Sequence, residues 1–146
     1  MAKLLLLDTE AMQNDFFEDT AMIGIRSAQP GYRFCWLLNK HFDIDFKNYP
    51  EQNLSLVKNG ATVYFPTYQH DIDNSNYKYL LYKLKSGTEN LIPEVKHLDY
   101  LWLIQTIDPE HDAHTILHEL RNLPQVEMSQ LLAEEQIKKS LNSLIM

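Results

Sequence analysis

Residues 98–107 read Leu-Asp-Tyr-Leu-Trp-Leu-Ile-Gln-Thr-Ile and are almost continuously apolar. A strand with one wet face alternates apolar and polar side chains. This run does not, so it predicts a central strand covered on both faces. Its exit is equally well defined. Asp108-Pro109-Glu110 supplies an N-cap, a proline at the first helical position and an acid in the first turn, which together start a helix at once. Ala113, Ile116, Leu117, Leu120 and Leu123 fall at the spacing of a buried helical stripe. Residues 123–126, Leu-Pro-Gln-Val, end that helix, and 126–132 can return as a strand. The C-terminal half is therefore built around a strand–helix–strand unit.

The remaining elements follow from breakers and periodicity. Residues 3–7 read as a short strand or extended arm, 8–20 as an acidic loop and 21–27 as a strand. Pro30-Gly31 opens a helix that runs to Phe42. Phe34, Cys35, Leu38 and Phe42 share its buried face, and Tyr32, Trp36 and Lys40 lie together on another. Residues 43–60 are irregular, broken by Pro50 and Asn59-Gly60, with a short helical turn expected near 51–57. Residues 61–69 and 77–85 form an antiparallel hairpin around the polar turn 70–76. Pro66 marks its first arm as an edge or bulged strand. Residues 86–88 turn the chain, and 133–141 close it as a short polar helix.

This order predicts an α+β fold: an antiparallel or mixed sheet of about five strands, two main helices mostly on one face, and a single domain over 1–146. The last three elements look like the second half of a ferredoxin-like domain of the ACT type, an analogy that speaks to fold and not to activity.

Composition excludes several partners. The net charge is -7, and five acids against Lys3 alone occupy the first 20 residues. Phosphate backbones are neutralised by clustered bases, and the best basic group, Lys78, Lys83, Lys85 and Lys96, is sparse. No nucleic-acid partner is expected. No apolar run approaches the roughly 18 residues of a membrane span, and Leu4 to Leu7 is too short for a signal peptide. Neither a membrane partner nor a leader is expected. The single cysteine, Cys35, precludes an internal disulfide and suits a reducing cytoplasm.

Ahead of the central strand stands Ile92-Pro93-Glu94-Val95-Lys96-His97-Leu98-Asp99-Tyr100. These nine residues closely resemble the signature of the IPExxxVDY family of small bacterial proteins, with Leu98 where that motif has valine. The resemblance implies no particular reaction. Glu94, Asp99 and Tyr100 are candidates for acid–base catalysis or for binding, with His97 titrating near neutrality. The structural alternative is that Pro93 fixes the strand entry, Glu94 accepts backbone N–H groups in the turn, and Asp99 and Tyr100 anchor the strand. In an extended segment Glu94 and Asp99 fall on opposite faces, so they make a dyad only if a turn intervenes.

Other candidates are weighed in the same way. His111, His114 and His118 lie on one side of the second helix and include an i, i+4 pair able to bind zinc or nickel, but no further ligand is evident. A solvated face is the simpler account, and no metal or cofactor is expected. The acidic turn from Asp71 lacks the glycine and the final glutamate of a calcium loop. Cys35 is expected to be a buried, inert thiol. Tyr32 and Trp36, with Tyr77 and Tyr79 or Tyr82 on the hairpin, exceed what a small core needs. Beside Arg33 and Lys40 they suit a binding surface. The leading expectation is a non-enzymatic domain that binds a protein partner or its own copy. The alternatives are a small-ligand-binding regulatory domain and, behind it, a hydrolase or transferase using Glu94, Asp99 and Tyr100.

Overall fold

The computed structural model describes residues 20–137. The arm at 3–7, the loop at 8–19 and the end of the helix expected at 133–141 lie outside them. In chain order the elements are β1 (Thr20–Arg26), α1 (Gly31–Phe42), β2 (Lys47–Asn48), β3 (Leu54–Lys58), β4 (Ala61–Phe65), β5 (Thr67–Asp71), β6 (Lys78–Lys83), β7 (Lys85–Ser86), β8 (Glu89–Asn90), β9 (Tyr100–Gln105), α2 (Pro109–Leu120) and β10 (Met128–Leu132). Single 3₁₀ turns occupy Pro50–Gln52 and Pro93–Val95.

The fold is α+β. Six strands form one antiparallel sheet in the order β10-β1-β9-β6-β5-β2. The arrangement of β10, β1, β9 and β6, with α2 carrying the chain from β9 across to β10, is compatible with a ferredoxin-like core. β9 is central, as its unbroken apolar run requires, and Tyr100 to Ile104 are all buried. Its alternate side chains serve two cores. Tyr100, Trp102 and Ile104 face α1 and α2 together with Ile23, Ile25 and Leu81. Leu101 and Leu103 face the other way, with Met22, Leu80 and Tyr82.

Both helices pack on the first face. Phe34, Cys35 and Leu38 come from α1, and Ala113, Ile116, Leu117 and Leu120 from α2. The α2 start is built as expected, with Pro109 in the first turn and the Asp108 carboxylate accepting from the His111 N–H at 3.5 Å. Phe42, Phe46 and Tyr79 surround the Trp102 indole edge-on at 5.2, 5.3 and 5.5 Å, a favoured aromatic geometry.

The second face departs from the sequence expectation. Residues 54–58 are not a helical turn but β3, which pairs with β4 as a separate hairpin. The helical turn near 51–57 contracts to Pro50–Gln52. Asn59 (φ 53°) and Gly60 (φ 78°) make the bend, the pair of positive φ values that a two-residue hairpin needs. Leu54 and Phe65 join the core, and Leu56 and Val63 pack against it. The arm expected at 61–69 is thus two strands. Pro66 divides them, because its missing N–H cannot continue a ladder. β4 leaves for the hairpin, while β5 pairs with β6.

Candidate functional site

The signature lies between β8 and β9 and divides its labour by side-chain type. Ile92, Val95 and Leu98 are buried in the second-face core, while Pro93, Glu94, Lys96 and His97 are exposed. The Val95 N–H donates to the Ile92 carbonyl at 3.1 Å and the Leu98 N–H to the Val95 carbonyl at 2.9 Å. Those bonds close a compact plug over the sheet.

Asp99 and Tyr100 then reach toward the loop that joins β1 to α1. The Asp99 carboxylate accepts the Ser27 N–H at 2.9 Å and pairs with Lys85 Nζ at 3.0 Å. Ser27 Oγ donates to the Gln125 carbonyl at 2.8 Å. The Tyr100 hydroxyl donates to the Gln29 carbonyl, and its ring stacks on Phe34 at 4.3 Å. Burial pushes the Tyr100 phenol well above its ordinary pKa, with Tyr68, Cys35 and Asp99 adding to the shift. It stays protonated at neutral pH and serves as a donor. Replacing Tyr100 by Phe keeps the ring and removes one hydrogen bond. The expected cost is about 1 kcal/mol in urea unfolding, and unchanged stability would deny the hydroxyl its anchoring role.

These ties set the start of α1. The helix has no side-chain cap and no acid in its first turn; the Arg33 and Phe34 N–H groups donate to the Pro30 carbonyl at 3.1 and 2.9 Å. Gly31 leaves room for the Tyr68 hydroxyl, which a Cβ there would displace. Between the loop and the sheet margin lies a cleft of about 300 Å³, lined by Pro30, Lys83, Lys85, Asp99 and Tyr100 among others. Next along the chain, Tyr32, Arg33 and Trp36 line a second, more open cleft of about 380 Å³. Tyr32 is 77% and Trp36 58% exposed, and Lys40 Nζ sits 4.9 Å above the indole centroid, a cation–π contact.

The candidates therefore separate. Asp99 and Tyr100 share a cleft, and Tyr32 and Trp36 share the neighbouring one. Glu94 is exposed and is not among the residues that line either cleft. Tyr82 is buried and Tyr79 is half-buried beside Trp102, which removes both from the expected aromatic surface. Tyr77 remains exposed beyond the start of β6. His111, His114 and His118 are all exposed on α2, and among the described residues no three potential ligands converge on a point. His41, at the end of α1, contacts Glu119 of α2 at 3.1 Å. Cys35 is buried, and burial raises its thiol pKa strongly.

Lys83 and Lys85 were visible only as members of a loose basic group. Two positions apart on one extended segment, they share a side, and that spacing is the signal for their cleft. Lys78 sits at the opposite end of β6, opposite Gln105 in the register, whereas Lys83 stands opposite Tyr100. No family model, curated protein or solved structure matches the chain, so the likeness of Ile92 to Tyr100 to the IPExxxVDY signature rests on those residues alone.

Proposed function

We propose that this protein is a non-enzymatic interaction domain that engages a protein partner through the outward face of α1. The observation that carries the reading is the exposure of Tyr32 and Trp36, one turn apart around Arg33, on a helix whose opposite face is buried. Tyrosine, tryptophan and arginine dominate the energetics of protein interfaces. Nothing in the core needs these side chains, and leaving two large rings in water sacrifices the stabilisation that burying them would provide. The signature supports the surface indirectly, by fixing the loop from which α1 departs. A cytoplasmic setting and membership of the IPExxxVDY family belong to the same reading. Among the described residues no helix is long and apolar enough to cross a membrane.

Affinity purification from the native cell identifies the partner, which is then titrated as a purified component against wild type and Trp36→Ala. Removing a hot-spot tryptophan is expected to weaken binding by about 2 kcal/mol, roughly 30-fold, with an unchanged circular dichroism spectrum. Equal affinity for wild type, Trp36→Ala and Tyr32→Ala would sink the proposal. Sedimentation equilibrium of the purified protein covers self-association: a dimer abolished by Trp36→Ala makes the partner a second copy.

A further inference from the structure

We infer that the cleft beside Asp99 receives a carboxylate, so that the partner of α1 presents an acidic polypeptide segment: one acid held at Lys83, an adjoining apolar side chain against Tyr32, Arg33 and Trp36. The inference rests on the interaction reading and gives that partner its chemistry.

Charge is the first argument. The chain carries a net charge of -7, yet the two neighbouring clefts collect Lys83, Lys85 and Arg33 against Asp99 alone. Lys40 adds a fourth base beside Trp36. Lys85 is engaged, at 3.0 Å from Asp99. Lys83 is half-buried and forms no ion pair with another described residue. An ammonium that lines a concave cleft without a counter-charge among the described residues favours an incoming anion.

The second argument is the size of that charge. Two ammonium groups against one carboxylate leave a single net positive charge in the cleft. The Tyr100 hydroxyl is already committed to Gln29. A monoanionic carboxylate matches such a site, whereas a dianionic phosphate would meet Asp99 at close range with one spare cation. The neighbouring aromatic cleft gives the residue beside that acid an apolar seat, which a free anion would not use.

The test uses ¹⁵N-labelled full-length protein and an acetylated, amidated heptapeptide with a Glu-Glu-Leu core, beside its Gln-Gln-Leu counterpart. The Glu peptide is expected to shift the amide resonances of Lys83, Asp99 and Tyr100 as well as those of Tyr32 and Trp36. The Gln peptide should bind at least about tenfold more weakly, and Lys83→Gln should lower affinity for the Glu peptide about tenfold. Asp99→Asn should raise it several-fold, because it releases Lys85 while the amide oxygen still accepts the Ser27 N–H. Damage to the fold cannot produce that gain.

Glu and Gln peptides that bind equally, with shifts confined to Tyr32 and Trp36, would overturn the carboxylate cleft and leave the α1 surface standing. Shifts at Lys83 that persist undiminished in Trp36→Ala would support the cleft and overturn the α1 surface. Inorganic phosphate reproducing the Lys83 shifts at the peptide's affinity would overturn the peptide assignment. No shift with either peptide would overturn the inference itself.

Discussion

Folding stability is expected to collapse between about pH 10 and 12, because four buried acids of high pKa keep their protons only in the folded chain. Cys35, Tyr68, Tyr82 and Tyr100 are all buried. Burial raises each of them above its ordinary value, and takes Tyr68 up to about 12. Below about pH 8.5 all four are protonated in both states, and pH has no leverage through them. Above the ordinary thiol value of about 8.5 and the phenol value of about 10, the unfolded chain releases these protons while the folded chain does not. The unfolded state then binds fewer protons, so the unfolding free energy falls as pH rises.

Each group contributes about 1.4 kcal/mol per pH unit, and four together roughly 5. A domain with the usual stability of about 5–15 kcal/mol would unfold within one to three such units. Urea titrations at about pH 8, 9.5 and 10.5, read beside tyrosinate absorbance, measure this directly. The late-titrating tyrosines should ionise together with loss of structure. If they ionise near their ordinary value while the fold persists, the tight burial described for them is wrong. Tyr68→Phe should make the dependence shallower by one group.

The fraction of this molecule that the sequence discloses depends on how many faces each element buries. α1 and α2 each bury one face, and periodicity places Phe34, Cys35 and Leu38, and Ala113 to Leu120, on the correct side. β9 buries both faces, and its unbroken run says so. β6 also buries both, and there the same logic fails for single residues. In Tyr79-Leu80-Leu81-Tyr82 no polar position marks the parity, so Tyr82 reads as surface when it is core. Asn59-Gly60 was legible only as a breaker, and Leu54, Leu56 and Val57 are all apolar, so no clean alternation marked the strand that precedes it. The cleft was the least legible feature. It joins Ser27, Gln29 and Pro30 to Lys83, Lys85 and Asp99 across sequence separations as large as 72 residues, and local pattern carries no information about such pairings.

The largest effect of a single substitution within the signature is expected at Leu98, whose role is packing. Leu98 is fully buried against Gly24 of β1, where a Cβ would collide with Leu98 Cδ1 and lie 3.1 Å from Leu132 Cδ1. Leu98→Ala empties that contact and should cost about 2–5 kcal/mol, as other buried leucines do. Gly24→Ala overfills it and should cost about 1–3 kcal/mol.

The two positions are coupled through one methyl group, and this makes the prediction sharper than either loss. Leu98→Val alone should cost about 1 kcal/mol. In the double variant Gly24→Ala with Leu98→Val, the shorter side chain withdraws the atom that collides and the new methyl fills the space. The double variant should therefore be more stable than the sum of the single losses by about 1–2 kcal/mol, an interaction typical of residues in contact. Additive losses in urea unfolding would show that Leu98 does not bear on Gly24, and that the plug formed by Ile92, Val95 and Leu98 does not set how closely the signature approaches the sheet.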